Sequence, residues 1–470
     1  MENLNQIFKT ILFLGLVSIA FACEWTPSDE AEMASYPKNG EIFIDGFSGG
    51  LEYFPFAGSK LDAFSVDTET YYEGTASMRF DVPNGDDPNG NYAGAIFPDL
   101  GGRNLADFDA LTFWAKASKA TTIDQIGFGT TFEDARYTAG IFGLRLSTSW
   151  TKYHIPIPDP AKLERLQGLF SYATGAKPEG LEGEGFTFWI DELQFEYTGT
   201  IAHPRPVILN GEDKTEQTFI GIQIPVSGLQ HTFNLGNGLN QTVSSAPAYF
   251  DFESSNENVA TVNELGIITV VGTGSAEITA VSSGVQAFGS LTIESLGEFI
   301  SAPTPTKDPA NVISIFSDAY TNVAIDYYNG FFQYQTTQGG TGPGGADFTV
   351  NGDAVINYTE LNFVGIGAFQ NVPSIDATAM THLHVDIQVQ ESINPGDFIR
   401  LQLLNSVGSG ETSGSYTISD GVLKANQWIS LNIPLTDFAG LTDRSKIGLL
   451  FFISDNTVSN ILVDNIYFYK

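Results

Sequence analysis

Gln427-Trp428-Ile429-Ser430-Leu431-Asn432-Ile433-Pro434-Leu435, followed by Leu462-Val463-Asp464-Asn465-Ile466-Tyr467-Phe468, sets the pattern of this chain. The same cadence occurs earlier, in Ser149-Trp150-Thr151-Lys152-Tyr153-His154-Ile155-Pro156-Ile157 and then Phe188-Trp189-Ile190-Asp191-Glu192-Leu193-Gln194-Phe195. In both copies a strand opens with Trp, alternates its side chains and stops at Ile-Pro. Each copy then ends on an apolar strand carrying one Asp. Alternation means one buried and one wet face, and proline suits a strand end because it cannot donate to a ladder. The expectation is an all-β chain with two similar β-sandwich domains, one early and one late, and something different between them.

The 470 residues are enough for about three domains. Aromatics make up 13% of the chain and charged residues only 16%, a profile of β-rich domains with many turns. Lys and Arg number 21 against 55 Asp and Glu, a formal charge of −34. So acidic a chain repels nucleic acid and anionic headgroups and suits a neutral or cationic ligand.

Residues 1–22 read as a signal peptide: the apolar run from Ile7 to Ala22 is too short to span a membrane. It ends Ala20-Phe21-Ala22-Cys23, and Cys23 is the only cysteine, so no intramolecular disulfide can form. Small residues before a lone cysteine resemble the lipobox of bacterial lipoproteins, which implies lipidation of Cys23, although Ala20 stands where Leu is usual. The alternative is an ordinary secretory signal with an incidental cysteine. Residues 23–35 form a polar, acidic tether that resembles the export signal of Bacteroidetes surface lipoproteins. The resemblance implies a lipid anchor in the cell outer membrane, facing the exterior.

Residues 36–202 read as short strands broken by Gly, Pro, Asn and Asp, as a sandwich or jelly roll requires. The run Tyr72–Phe80 with Leu111–Ala117 resembles the carbohydrate-binding jelly rolls of polysaccharide-degrading bacteria. In residues 203–297, Ser255–Val262 leading into Gly266–Ala280 resembles the bacterial Ig-like domain of the intimin and invasin group, a spacer. Residues 298–306 hold Ala302-Pro303-Thr304-Pro305-Thr306, a semi-rigid extended linker. Residues 307–470 resemble the module appended to laminarinase-type glycanases, through Val312–Val323, Tyr358–Ile366, Ile375–His384 and Leu435–Leu441. The fold class expected is therefore two jelly-roll, carbohydrate-binding-module-like sandwiches separated by an Ig-like sandwich.

Sugar recognition needs flat aromatic faces for the C–H side of a pyranose, with polar groups for its hydroxyls. Tyr327, Tyr328, Phe331, Phe332 and Tyr334 crowd one segment beside the glycine-rich run 339–345, which suggests a displayed platform. The Trp common near Tyr328 in the resembling modules is absent. Alternate members of the segment are expected in the core, and Tyr358 and Gln370 are weaker candidates. In the first domain Tyr53, Phe54 and Tyr92, with Tyr137, form the comparable set. Trp114, Trp150, Trp189 and Trp428 stand at alternating strand positions and read as core. Asp45, Asp191, Asp318 and Asp464 occupy equivalent places in the two outer domains. Resemblance to carbohydrate-binding jelly rolls implies a structural Ca²⁺ between Asp45 and Asp191, and between Asp318 and Asp464, through hard oxygen ligands. Turn-capping aspartates without metal are the alternative.

A retaining glycosidase of the laminarinase type needs two Glu on one strand face, and no such run occurs. The five His form no zinc-like motif, and no nucleophile elbow or phosphate loop is present. The reading is a non-enzyme: a monomeric surface glycan-binding lipoprotein, with no nucleic-acid partner. It would capture a polysaccharide, laminarin or another β-1,3-glucan by resemblance, for a neighbouring uptake porin and surface glycanases. The alternative is an adhesin or cell-surface scaffold that binds a protein or host surface.

Overall fold

The computed structural model describes residues 35–132, 135–350 and 352–470; Cys23 and nearly all of the tether lie outside them. The chain forms two compact units, one reaching Arg205 and including Gln230–Tyr249, the other comprising Pro206–Leu229 and Phe250–Lys470.

The first unit is a two-sheet jelly roll. One sheet runs Phe64–Asp67, Ser77–Val82, Phe186–Glu196, Ala110–Ala117, Thr151–Pro156, with Glu41–Phe43 also on Phe186–Glu196. The other runs Phe54–Pro55, Tyr92–Arg103, Leu166–Gly175, Thr121–Phe128, Ala139–Leu146, and is extended by the hairpin Asn240–Ser245 and Gln230–Asn234. The hairpin belongs in sequence to the Ig-like stretch, yet Ser244 and Ser245 pair with Gly140 and Ala139. Inward phases place Phe80, Phe97, Phe170, Tyr172 and Phe188 between the sheets, with Phe80 stacked on Phe188 at 4.6 Å.

The tryptophans depart from expectation. Phe113 and Ala115 take the inward phase, which turns Trp114 outward; Phe188 and Ile190 do the same to Trp189. Trp114, Trp150 and Trp189 are half-buried and outside the core, whereas half-buried Trp428 packs against a small apolar cluster that includes Val355 and Leu462. Trp189 is pinned by Nε1 donating to Asp67 at 2.8 Å.

In the second unit, the Ig-like body pairs Asp213–Thr218, Ser290–Ser295, Gly274–Ser282 and Asp251–Ser254 in one sheet, with Asp213–Thr218 parallel to Ser290–Ser295. The smaller sheet is Gln223–Pro225, Ile267–Val270, Ala260–Val262. The C-terminal sandwich repeats the first sheet of the jelly roll strand for strand, and its second sheet without a counterpart to Phe54–Pro55: Phe348–Val350, Asp353–Tyr358, Ile461–Tyr469, His382–Val389, Trp428–Pro434, with Val312–Phe316 on Ile461–Tyr469. Its second sheet is Phe363–Gly367, Ile447–Ile453, Phe398–Asn405, Thr412–Ser419. The first of these sheets is covered on its inner face and, in part, on its outer one. Its outer side carries Val350, Val355 and Leu462, which share a small core with Phe219 and Ile222 of the Ig-like body. Ile461–Tyr469 is consequently buried at every position. Residues 298–306 lie extended against this sandwich: Trp428 Nε1 donates to Ile300 O at 2.6 Å and Asn465 Nδ2 to Pro303 O at 3.4 Å.

Candidate functional site

The outward face of the second sheet in each sandwich is the first candidate. In the first sandwich, strand registers align Phe54, Ile96, Ser171, Gly127, Gly140 and Ser244 in one row across the sheet. Phe142 lies two residues along from Gly140 on the same face and is 64% exposed. At the opposite edge Phe54 meets Phe132 edge-on at 4.9 Å, and Phe132 is 66% exposed. Small floor residues between aromatic walls leave a hollow of about 180 Å³ beside Phe142, lined by Gln125, Ser171 and Ser244. Tyr53 is not displayed: its ring packs at 5.2 Å on both Phe64 and Phe97. Half-buried Tyr92 donates from its hydroxyl to Ala57 O at 2.8 Å. Tyr137 packs on buried Tyr249 at 5.5 Å.

In the second sandwich the corresponding row is Gly365, Phe451, Gln402, Ser415, flanked by Phe363, Ile453, Arg400 and Thr417. Tyr327 and Phe332 lie over its edge because the strand beneath them offers glycine. A Cβ at Gly367 would come within 2.3 Å of the Tyr327 ring, and one at Gly365 within 2.6 Å of Phe332. Phe332 also packs on Phe451 at 5.2 Å. Tyr327 and Phe331, with Asp326 and the run Gly340–Gly345, line a hollow of about 420 Å³.

The aromatic segment is presented under strain. Phe331 and Tyr334 hold positive φ of 44° and 69°, a region bulky residues rarely enter, and are 60% and 84% exposed. A hydrogen-bond network anchored on buried Asn329 fixes them. Asn329 Oδ1 accepts from Phe331 N at 3.0 Å and from Gln335 Nε2 at 2.6 Å, while Asn362 Nδ2 donates to Tyr334 O at 2.8 Å. The two rings are therefore held out before any ligand arrives. Two expected platform residues are not available. Tyr358 is fully buried and donates to Tyr328 O at 2.6 Å. Tyr328 packs its ring on Phe316 and donates to Ile315 O at 2.8 Å. The strand phase that points Ile356 and Tyr358 into the core leaves Tyr358 no route outward. Gln370 is exposed, held beside Asp326, which accepts its N–H at 2.7 Å.

The four aspartates fall into two unlike settings. In the first sandwich Asp191 is fully buried, and burial raises its carboxyl, but it accepts from Tyr72 N at 2.7 Å and Glu192 N at 2.8 Å. Exposed Asp45 accepts from Thr75 N and from Ala76 N, and these backbone donors hold its carboxyl below the usual range. The second sandwich gathers four carboxylates: Asp318, Asp464 and two that sequence reading missed, Asp353 and Asp386. Burial, then the charges of Asp353, Asp386 and Asp318, push the Asp464 carboxyl up to about 8. Asp386 is fully buried, and its Oδ1 accepts no hydrogen bond although His384 Nε2 lies at 3.4 Å. Asp353 Oδ2 is likewise buried without a partner. Asp318, Asp353 and Asp464 line a hollow of about 320 Å³. Orphaned buried carboxylate oxygens fit a hard cation's ligand set; the carboxylates of the first sandwich, occupied by backbone N–H, do not. Among the described residues no three acidic, His or Cys side chains converge into a ready-made cage.

Residues 44–197 match the family model described as carbohydrate binding domain 30, and residues 231–292 match bacterial Ig-like domain, group 2. No curated protein matches the chain. Among solved structures, the family 30 carbohydrate-binding module of a Clostridium thermocellum cellulosomal cellulase is similar at 16% identity and a TM-score of 0.24. It is covered over 98% of its length by 34% of this chain. The family 11 module from the same organism, in complex with a β-1,3-1,4-mixed-linked tetrasaccharide, shows 18% identity and a TM-score of 0.24, covering 34% of this chain and 95% of that one. The chain is all-β, with one stretch similar to a carbohydrate-binding domain and another similar to a bacterial Ig-like domain. Glycan binding is the activity these matches support.

Proposed function

We propose that this chain captures a neutral polysaccharide at the bacterial cell surface and hands it to degrading and importing partners. The observation that carries the reading is the paired outward sheet face, with Phe54, Phe132 and Phe142 on one sandwich and Tyr327, Phe331, Phe332 and Tyr334 on the other. Aromatic walls over small and amide-bearing floors suit the alternating C–H and hydroxyl faces of a pyranose chain. A formal charge of −34 disfavours an anionic glycan. A β-1,3-glucan such as laminarin is the preferred ligand, on the resemblance of residues 307–470 to laminarinase-appended modules. Two faces on one chain add avidity on a long polymer even if each binds weakly. Lipidated Cys23 would hold the protein, as a monomer, in the outer membrane beside an uptake porin and surface glycanases. In the second sandwich, Asp318, Asp353 and Asp464, which line one hollow with Asp386 behind them, would draw together on a structural Ca²⁺, whose charge would complement the Asp353 and Asp386 oxygens that no hydrogen bond reaches. The fit supports one such ion, not one in each sandwich.

The test is calorimetric titration of laminarin, mixed-linked β-glucan, mannan and xylan into the protein, with product analysis alongside. Saturable laminarin binding without cleavage is the expected result. Binding of another neutral glycan alone would change the ligand and keep the class. No binding to any glycan, with calcium present, would overturn the reading in favour of a protein-binding adhesin, the class in which the Ig-like match also occurs.

A further inference from the structure

A cleft of about 720 Å³ lies in the C-terminal unit, on the sheet opposite the aromatic face. Strands Asp213–Thr218 and Gln223–Pro225 of the Ig-like body form one wall, and Phe348–Val350 and Asp353–Tyr358 of the sandwich form the other. Its volume falls within the roughly 300–1,000 Å³ of small-molecule sites. The walls are fixed by a shared apolar core, in which Phe348 meets Phe219 at 5.8 Å and Phe299 at 5.7 Å.

The polar lining is acidic and amide-rich, with hydroxyls from Thr215, Thr349 and Thr359 among it. Asn357 Oδ1 and Asn460 Oδ1 are buried without a hydrogen-bond partner. Asp347 faces the same cleft, its Oδ2 taken by Gly340 N and Asn357 N, both at 2.7 Å, and Glu216 stands on the opposite wall. No Lys or Arg is among the described lining residues. A buried acceptor left unpaired costs about 1–3 kcal/mol, so a ligand donor that draws these two amides to the cleft surface is rewarded. An anion would bring more acceptors to face two carboxylates. A polyol brings hydroxyl donors for the amides and C–H surface for Phe348, Ile224 and Pro225.

We infer that this cleft is a further carbohydrate subsite, taking one or two neutral sugar units and distinct from the aromatic sheet faces. The inference rests on the glycan-binding reading. It gives the Ig-like body a share in recognition, because one of the two walls is its own.

The test uses the full chain and short β-gluco-oligosaccharides, with calorimetry and hydrogen exchange read together. Thr349→Trp fills the cleft from the exposed edge of one wall; Gln223→Trp does so from the other, in case the first disturbs folding. Asn460→Leu removes an orphan acceptor and a site for a sugar hydroxyl. Sugar should slow exchange in Gln223–Pro225 and Phe348–Val350, and either Trp variant should abolish that protection. In a Phe142→Ala/Phe331→Ala background a residual isotherm should remain, lost on adding Thr349→Trp and weakened about tenfold by Asn460→Leu, a change of about 1.4 kcal/mol. Wild-type binding with no protection in those strands, indifferent to all three cleft variants, would overturn the inference and leave the sheet-face reading standing. If the wild type binds no glycan at all, both fall together.

Discussion

The two jelly rolls share one strand order and differ at the same point, the bulge in the last strand. Asp191 precedes Glu192 at φ 50°, and Asp464 precedes Asn465 at φ 51°. Across the sheet, however, Asp191 faces Trp114, whereas Asp464 faces Asp386. Trp114 stacks on Tyr72 at 3.8 Å, and the Tyr72 N–H then points into the Asp191 carboxylate. The aromatic stack delivers the loop whose backbone neutralises the buried charge. Where Asp replaces Trp no such stack can form, and carboxylates collect instead. The N–H of the following residue reaches the aspartate in both; one backbone plan thus completes a buried carboxylate in two ways, by a loop N–H at Asp191 or by leaving room for a cation at Asp464.

Opposite signs on matched substitutions would sharpen this contrast most. Asp191→Ala strands the N–H groups of Tyr72 and Glu192; at about 1.5–3 kcal/mol for each charged hydrogen bond, the first unit should lose about 4 kcal/mol. Asp464→Asn in chelator at pH 9, where a carboxyl pushed up to about 8 has ionised, should instead raise stability, because it removes one of four crowded negative charges. Denaturant melts followed by hydrogen exchange in each unit would read both. Equal destabilisation would break the comparison.

Calcium is the next largest effect. At a hundredfold excess over its dissociation constant a bound ion stabilises by about 2.7 kcal/mol, so added Ca²⁺ should raise the thermal transition of the second unit only. Asp386→Asn with Asp464→Asn should abolish the shift, and Asp191→Ala should not. A calcium response that survives the double substitution would remove the site.

These contrasts were only partly legible in the sequence. The repeated Trp…Ile-Pro strand and the closing Asp strand foretold two like sandwiches, because period and turn chemistry are local. Phase was not legible: Trp114 and Trp189 read as core, and register turned both outward. Phe142 could have been noticed between Gly140 and Gly143, an aromatic in the wet phase of a strand. Asp353 and Asp386 sat inside ordinary-looking strands, and only long-range pairing brings them to Asp464. The departure of Gln230–Tyr249 from the Ig-like stretch is likewise a matter of tertiary pairing that composition does not encode.

Smaller effects distinguish the two faces. Phe331→Ala and Phe142→Ala each remove one exposed ring and should weaken glycan binding about tenfold, or about 1.4 kcal/mol, without lowering stability. Tyr328→Ala should do the reverse, lowering the melting temperature through its lost core packing and its bond to Ile315 O. Binding unchanged by Phe142→Ala but lost with Phe331→Ala would make the C-terminal sandwich the sole platform.

The smallest effect belongs to the hairpin that the first jelly roll carries and its C-terminal counterpart lacks. His231 is fully buried there, Nδ1 lying 2.9 Å from Ser245 Oγ, and burial pushes its imidazole down to about 4. In the unfolded chain the group titrates near 6.5. Between those values the unfolded state binds the extra proton, so stability rises with pH: the contribution is intact above 6.5 and is lost as pH falls toward 4. Over the single unit from pH 6.5 to 5.5 the loss is about 1 kcal/mol, since a full proton corresponds to about 1.4 kcal/mol per unit. The first unit should therefore melt a few degrees lower at pH 5.5 than at 6.5, and His231→Gln should flatten that dependence. Because Ser245 adjoins the Phe142 hollow, loosening the hairpin should weaken glycan binding at the first face over the same pH unit. A flat melting profile in the wild type would remove His231 as the sensor and leave the sheet extension insensitive to acid.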